Sequence, residues 1–558
     1  HEQVELASLN ARAAKEAYNL CAFTPSTTYL QKSLAILGNE DTVWKDHYDL
    51  ALELYNLLAE LKFCEGNFDE ALQITRIIIK SAKTFDDQFI AQTYNLKSMM
   101  LGGDLDTALA ASLDTLVVLG EPLPRKPSIG VLFVELIKTK KALRAKSDEY
   151  LRSLPEMTDE RVLKSIQIFV IMGTAAYLSG LLNYAAIITF KRIRLNLKYG
   201  ISDSCPLNFC GYGFLVQAIL RDFKGAVRFG QLGVSLSSKA IIPRSSFVMH
   251  AMIVHWRANI GLTINPLLSA LHESLETGDI EYACYNAMNY NINRLHSGQV
   301  SIQTIIQQQR VLLQNLSKVA KNYASDLLRP CQQAALNLDG QTQDPIVLSG
   351  EAMEEEELLE SSDESADNFL EYVLRTNAAC VAYIFGDCDR ASVHSQKIRD
   401  ISGKFPGLYV INIQAFYDGL ASYALARKNN NSKKWRKRGH EIMKKFVEWA
   451  KHCPSNNSHK VLLLKAECAS LFASKSKKKR EIAEQAYNAA ILGANDSGFV
   501  NVAAIASERA AEFYNSTGQD EKFSSHIAQA YQHYFKWGAR GKCECIAKKY
   551  PEIAFTSQ

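Results

Sequence analysis

A short turn signature recurs along this chain and limits it to one kind of fold. Gly66-Asn67-Phe68-Asp69-Glu70-Ala71 follows one apolar helical stretch and opens another. Gly103-Asp104-Leu105-Asp106-Thr107-Ala108 repeats it, 37 residues on from Ala71 to Ala108. Gly180-Leu181-Leu182-Asn183-Tyr184-Ala185, Gly278-Asp279-Ile280-Glu281-Tyr282-Ala283 and Gly386-Asp387-Cys388-Asp389-Arg390-Ala391 are further copies. Arg221-Asp222-Phe223-Lys224-Gly225-Ala226 lacks the leading glycine, and Gly518-Gln519-Asp520 closes the series with Phe523 where the alanine would be. Each residue type has a reason to be there. Glycine tolerates the left-handed conformation that ends a helix. The Asn or Asp after it can cap the next helix. The small alanine lets that helix pack close to its partner. A helix–turn–helix unit repeating every 35–40 residues or so cannot bury its apolar face alone, so it stacks on its neighbours.

The stretches between the turns have helical spacing. Trp44, Tyr48, Leu52, Tyr55, Ala59 and Phe63 step by three or four and line one face. Counting back from Ala71 puts Tyr55, Leu58 and Ala59 at the aromatic, leucine and small positions of a tetratricopeptide first helix. Counting back from Ala185 does the same for Phe169 and Gly173. With only 13 prolines in 558 residues, against a usual share of roughly 5%, the chain lacks the breakers that a sandwich or barrel needs. Its 47% hydrophobic and 22% charged residues exclude a largely disordered chain. The expectation is an all-α fold, a TPR-like α-solenoid or superhelix of antiparallel helix pairs.

Two stretches break the rhythm. Glu121-Pro122-Leu123-Pro124-Arg125-Lys126-Pro127 is a proline-rich loop. Glu351, Glu354 to Glu357, Glu360, Asp363, Glu364 and Asp367 put nine acids into seventeen residues, which by composition reads as a flexible loop. The expected organisation is an N-terminal helical-repeat segment (1–340), an acidic loop or linker (341–367) and a C-terminal helical-repeat segment (368–558). Ser165 to Phe190 has no charged residue over 26 positions, long enough to span a membrane. Ser179-Gly180 and Asn183 interrupt it, so two buried helices joined by a turn are expected instead of a membrane span. Cys205 to Leu220 is a second uncharged stretch, broken by Pro206, Asn208 and two glycines.

The net charge of +4 calls for neither nucleic acid nor an acidic membrane surface. Twelve cysteines without a CxxC pair fit reduced thiols, and the expected location is intracellular, in the cytoplasm. The chain starts at His1, without Met and without a basic-then-apolar leader, and is expected to be processed, trimmed or a piece of something longer.

Motifs for chemistry are missing. There is no GxxxxGK[S/T] phosphate loop, since Gly403-Lys404 and Gly541-Lys542 lack the upstream glycine. There is no kinase catalytic loop or DFG, no GxSxG elbow and no HExxH. His250 and His255 are five apart and share a helix face poorly. His526 and His533 share one but lack Cys or carboxylate companions. No catalytic, cofactor-binding or metal-ligating residue is assigned, and no cofactor is expected. Two basic clusters remain, Lys433-Lys434-Trp435-Arg436-Lys437-Arg438 and Lys475-Ser476-Lys477-Lys478-Lys479-Arg480. Each is expected to open a helix whose polar face is in water. Positive charge at a helix start opposes the helix dipole, so a partner-binding role is the second reading.

Longer segments carry a family resemblance. Tyr48-Asp49-Leu50-Ala51-Leu52-Glu53-Leu54-Tyr55 with the Gly66-Asn67-Phe68 turn, Leu154-Pro155-Glu156-Met157-Thr158-Asp159, Phe229-Gly230-Gln231-Leu232-Gly233 and His255-Trp256 are among them. So are Glu276-Thr277-Gly278-Asp279-Ile280-Glu281-Tyr282-Ala283, Leu348-Ser349-Gly350-Glu351-Ala352, Phe416-Tyr417-Asp418-Gly419-Leu420-Ala421, Tyr534-Phe535-Lys536-Trp537-Gly538-Ala539 and Lys549-Tyr550-Pro551. Together the chain resembles the tetratricopeptide-like helical-repeat region of AAA-type signalling ATPases and multi-sensor Ser/Thr–histidine multi-kinases. The resemblance implies a parent protein with ATPase or kinase domains, none of whose active-site residues lie here. It implies a non-catalytic scaffold that binds other proteins or the flanking domains of its own polypeptide, or relays signals between them. A solenoid would do so on a long concave surface built from the first helix of each pair. The alternative is a stand-alone structural or assembly subunit.

Overall fold

The computed structural model describes residues 2–20, 22–319, 323–364, 368–401, 403, 405–474, 476–553 and 555. Among them there is no strand, and one isolated bridge pairs Glu156 with Ile201. The rest is helix and turn: a TPR-like α-solenoid of antiparallel pairs such as Tyr48–Cys64 with Phe68–Ser81, Glu160–Leu178 with Leu182–Tyr199, and Val500–Ser516 with Asp520–Trp537.

The turn signature builds these hairpins as its chemistry requires. Gly66, Gly103, Gly180, Gly278, Gly386 and Gly518 all take positive φ. In the copy without glycine, Arg221 itself adopts the left-handed conformation, at φ 55°. Asn67, Asp104, Asp222 and Asp387 cap the following helices, accepting the backbone N–H groups of Glu70, Thr107, Gly225 and Arg390. Ala71, Ala108, Ala226, Ala283 and Ala391 are fully buried at the hairpin contacts. The copy at Gly180 departs from the pattern. Its cap position is Leu181, which has no side-chain acceptor, and Asn183 is exposed. Two further turns escaped the sequence reading, at Gly498 (φ 82°, with Ala503 fully buried) and Gly538 (φ 93°).

The chain divides into two compact units. The first comprises His1–Asn208, Ser274–Ile280 and Asn315–Ser325. Its core has two clusters, one around Trp44, Leu54 and Ala59 and one around Leu96, Leu116, Phe169 and Ile188. The uncharged run falls in this core as two helices, Glu160–Leu178 and Leu182–Tyr199, with the turn at Gly180. Glu160–Leu178 is long and apolar enough to cross a membrane by length and composition, and its Ile168, Phe169, Met172 and Ala175 are buried against neighbouring helices. The stretch Leu154 to Asp159 is pinned beside Gly200: Ile201 N donates to Pro155 O (2.7 Å) and Met157 N to Ile201 O (2.9 Å).

The second unit comprises Phe209–Glu273, Glu281–Gln314 and Asp326–Gln558. The stretch 341–367 falls within this unit. Part of that acidic stretch is an ordered helix, Glu355–Glu364, where composition suggested a loop. The reason is a buried anchor. Glu355 is almost fully buried, accepts Leu348 N (2.9 Å) and pairs with Arg390 (2.5 Å). Arg310 pairs with Glu351 at its edge (2.5 Å). Asp367 lies outside the described residues.

The second unit also differs from an open array. Asn368–Ile384, Val410–Lys428 and Val500–Ser516 are buried around most of their circumference. Of the first helices expected to offer a concave surface, Asn368–Ile384 and Val410–Lys428 pack against each other. His296, Asn377, Asn412, Lys460 and Asn501 lie close together in the interior. Lys460 Nζ donates to Asn412 Oδ1 (2.6 Å) and Tyr409 Oη (2.9 Å), and Asn501 Nδ2 to the His296 carbonyl (3.1 Å). Other contacts tie distant hairpins together. Asn456 Nδ2 donates to the carbonyls of His255 (2.7 Å) and Ala258 (2.8 Å), Asn259 Nδ2 to Ser497 O (2.9 Å), and Gln303 Nε2 to Gly538 O (2.7 Å).

Candidate functional site

An apolar groove in the second unit lies beside the Cys205–Leu220 helix. The Cys205–Leu220 helix ends where Arg221 reverses the chain and Asp222 caps Phe223–Leu236. This sets Phe214, Gln217, Ala218 and Phe223 on one wall. The floor comes from an irregular segment. Val248–Ile253 is a π-helix and Val254–Trp256 a 3₁₀ turn, the kind of local widening often found at functional sites. Its displaced backbone finds partners, because Gln217 Nε2 donates to Met252 O (3.1 Å). It also turns Trp256 toward Gly407, whose carbonyl accepts the indole N–H at 2.9 Å.

The last turns of Lys433–His452 form the opposite wall, with Lys444, Lys445, Glu448, Trp449 and His452. Trp449 meets Trp256 edge-on, centroids 5.4 Å apart, and His452 stacks on Phe223 at 4.1 Å. The groove so enclosed has a volume of about 510 Å³, within the range of ligand-sized sites. Its rim is cationic. Lys444 and Lys445 are exposed and make no salt bridge with a described residue, whereas Glu448 is paired with Lys451 (2.6 Å). Desolvation by the groove wall and the nearby Arg438 lower the Lys445 pKa from its ordinary value. An aromatic trough with unpaired cations at its edge can bind; it presents no nucleophile with an adjacent base.

A second opening, about 330 Å³, lies among Tyr383, Cys388, Arg427, Glu508, Arg509, Tyr534 and Lys542. Its charges are already matched. Behind it the fully buried Glu467 accepts from Tyr487 Oη (2.6 Å) and Arg509 Nε (2.9 Å) and pairs with Arg427 (3.0 Å). Burial alone would raise the Glu467 pKa, but Arg509 and Arg427 hold it down to about 2. Lys542 pairs with Glu508 (2.7 Å), which also accepts from Tyr534 (2.8 Å). This network joins several helices and reads as a structural tie.

The histidines singled out by sequence are dispersed. His255 is buried beside Trp256 and Tyr409, and burial pushes it to about 3; burial likewise takes His250 to about 4. His533 lies within reach of Asn495 and Ser507 (3.3 Å each), and His526 sits against the Lys522 carbonyl. Among the described residues no group of three or more His, Cys, Asp or Glu side chains is placed to hold a metal ion. No disulfide joins two of the described cysteines.

The first basic cluster does open a helix, with Lys433, Lys434 and Lys437 in solvent, while Trp435 is half-buried and Arg438 is drawn to the buried Asp418 (2.5 Å). In the second, Lys475 lies outside the described residues, and Ser476 caps Lys477–Asp496 by accepting Lys479 N (3.3 Å). Sequence reasoning missed the groove, although it had singled out both His255-Trp256 and the basic cluster. Nothing local signals that Trp256 and Trp449 meet.

Hairpins, capped turns and small residues at the hairpin contacts define a tetratricopeptide-like helical-repeat chain. No family model matches it. Among curated proteins it is similar to the hybrid signal transduction histidine kinase G of Dictyostelium discoideum, 23% identical over 368 residues. That match covers 60% of this chain and about a tenth (10%) of the kinase's length. Among solved structures, yeast Tom70 overlays on 94% of this chain and 99% of its own at 14% identity, with a TM-score of 0.28. The Naa15 complex with Naa10 and HypK overlays on 98% of this chain and 92% of the matched chain at 10% identity, with a TM-score of 0.20.

Proposed function

We propose that this chain is a non-catalytic, TPR-like scaffold that binds proteins, as the helical-repeat part of a larger signalling protein with ATPase or kinase domains. The observation that carries the scaffold reading is the stack of capped hairpins with its unfilled aromatic groove at the flank. The resemblance to signalling ATPases and the limited similarity to a segment of a histidine kinase support the signalling context. The reading places the chain inside the cell, in the cytoplasm.

Two measurements test it. Purified chain should neither hydrolyse ATP nor transfer phosphate above background; clear turnover abolished by a substitution within the chain overturns the scaffold reading. An antibody against the chain should detect a polypeptide far larger than 62.3 kDa in extracts of the source cells. A band of about that mass instead supports a stand-alone assembly subunit.

A further inference from the structure

We infer that the groove between Trp256 and Trp449 is a docking site for an acidic protein segment carrying an apolar anchor residue. This deepens the scaffold reading by naming the chemistry of a partner. The anchor part follows from the walls. Phe214, Phe223, Trp256, Ile411 and Trp449 surround a space of about 510 Å³ that no side chain of the described residues fills. Tryptophan is enriched among the few interface residues that carry most of the binding energy, which sit in well-packed pockets. The acidic part follows from the rim. Lys444 and Lys445 stand at the groove without a salt-bridge partner among the described residues. Lys437 and Lys433, seven and eleven residues before Lys444, continue the charge along the same helical face. Both are exposed, as are Lys434 and His440, and Glu441 is the one exposed acid among the described residues of this helix. The line of charge therefore has no salt-bridge partner among the described residues. It continues for several turns of a 20-residue helix, which suits an extended or helical segment better than a small anion.

The test uses the full chain and fluorescence anisotropy. The probe is a short fluorescein-labelled peptide of Glu and Asp around one Trp-Leu pair. Its controls are the same peptide with Ser-Ser at the pair, and a version with Lys for every acid. The expected result is saturable binding of the acidic, anchored peptide that weakens with salt, and at least tenfold weaker binding of both controls. Two variants remove the site in different ways. Lys444→Glu with Lys445→Glu reverses the rim. Ala218→Trp fills the groove from an exposed position without deleting any contact. Each should lose tenfold or more in affinity while keeping the wild-type melting temperature and helical circular dichroism. If either variant is destabilised, the other decides.

Absence of binding, equal binding of the Ser-Ser peptide, or undiminished binding by a folded variant overturns the inference. So does a labelled oligonucleotide that binds through the groove where the peptide does not, or anisotropy that tracks self-association of the chain. None of these outcomes touches the scaffold reading, which stands or falls on turnover.

Discussion

The indole N–H of Trp256 donates to the carbonyl of Gly407 at 2.9 Å, across 151 residues of sequence. The bond exists because both partners are unusual. Trp256 ends a π-helical and 3₁₀ segment, and Gly407 holds φ at 104°. A Cβ at Gly407 would also stand 2.5 Å from the Phe214 ring.

Gly407→Ala therefore combines left-handed strain, about 1–2 kcal/mol, with a clash in the wall of the groove. A melting temperature lowered by several degrees is expected, with red-shifted tryptophan emission as Trp256 loses its seat. Unchanged emission together with an unchanged melt would refute the assignment of Gly407 as the clamp on this wall.

Arg221→Gly should act in the opposite direction. Arg221 takes the left-handed turn position that glycine holds in the sister copies. Glycine there removes a strain of about 1 kcal/mol, and urea denaturation should show a higher midpoint. A lower midpoint would mean that contacts of the Arg221 side chain outweigh its backbone strain.

Glu467 sets the acid limb of stability. Its pKa is about 2 in the fold against an ordinary value near 4.5. Its stabilisation is fully present above pH 4.5 and is lost as pH falls toward 2. Glu467→Gln leaves Arg427 and Arg509 facing an amide. It should cost about 3–5 kcal/mol near neutrality and flatten the stability profile between pH 2 and 4.5. A parallel profile in the variant would show that other carboxylates govern this limb.

Lys460 acts on the alkaline side. Burial pushes it to about 7 from an ordinary 10.5, and no carboxylate compensates it. Between these values the unfolded chain binds a proton that the folded one does not, so stability rises with pH across that window. Lys460→Met removes the buried ammonium. The melting temperature of the variant relative to wild type should be higher at pH 6 than at pH 9. Equal differences at both values would place Lys460 in a more polar setting than its contacts with Tyr409, Phe416 and Phe499 indicate.

Much of the architecture is legible in sequence because hairpin turns are local. Gly66, Asn67 and Ala71 sit within six residues, and each meets one physical demand of one turn. The turns at Gly498 and Gly538 were harder to see: Phe499 and Ala539 stand where Asn67, Asp104, Asp222 and Asp387 cap their helices. The acidic segment misled for a related reason. Composition counts its charges but does not register that Glu355 is buried against Arg390 and His394. The groove was out of reach altogether. Its two tryptophans come from stretches far apart in sequence, and the π-helix just before Trp256 leaves no pattern in the residues. The basic cluster was visible, yet its partner-binding reading had no geometry until Lys444 and Lys445 appeared beside an apolar trough.

The contacts from Asn259 to Ser497, Gln303 to Gly538 and Gly340 to Gly541 have one more consequence. An open repeat array can gain or lose a unit by duplication, because each unit touches only its neighbours. In the second unit, a hairpin inserted between residues 341 and 496 would drive these pairs out of register. Its repeat number is thereby locked, and variation among descendants of this sequence is channelled into side chains and loops rather than length.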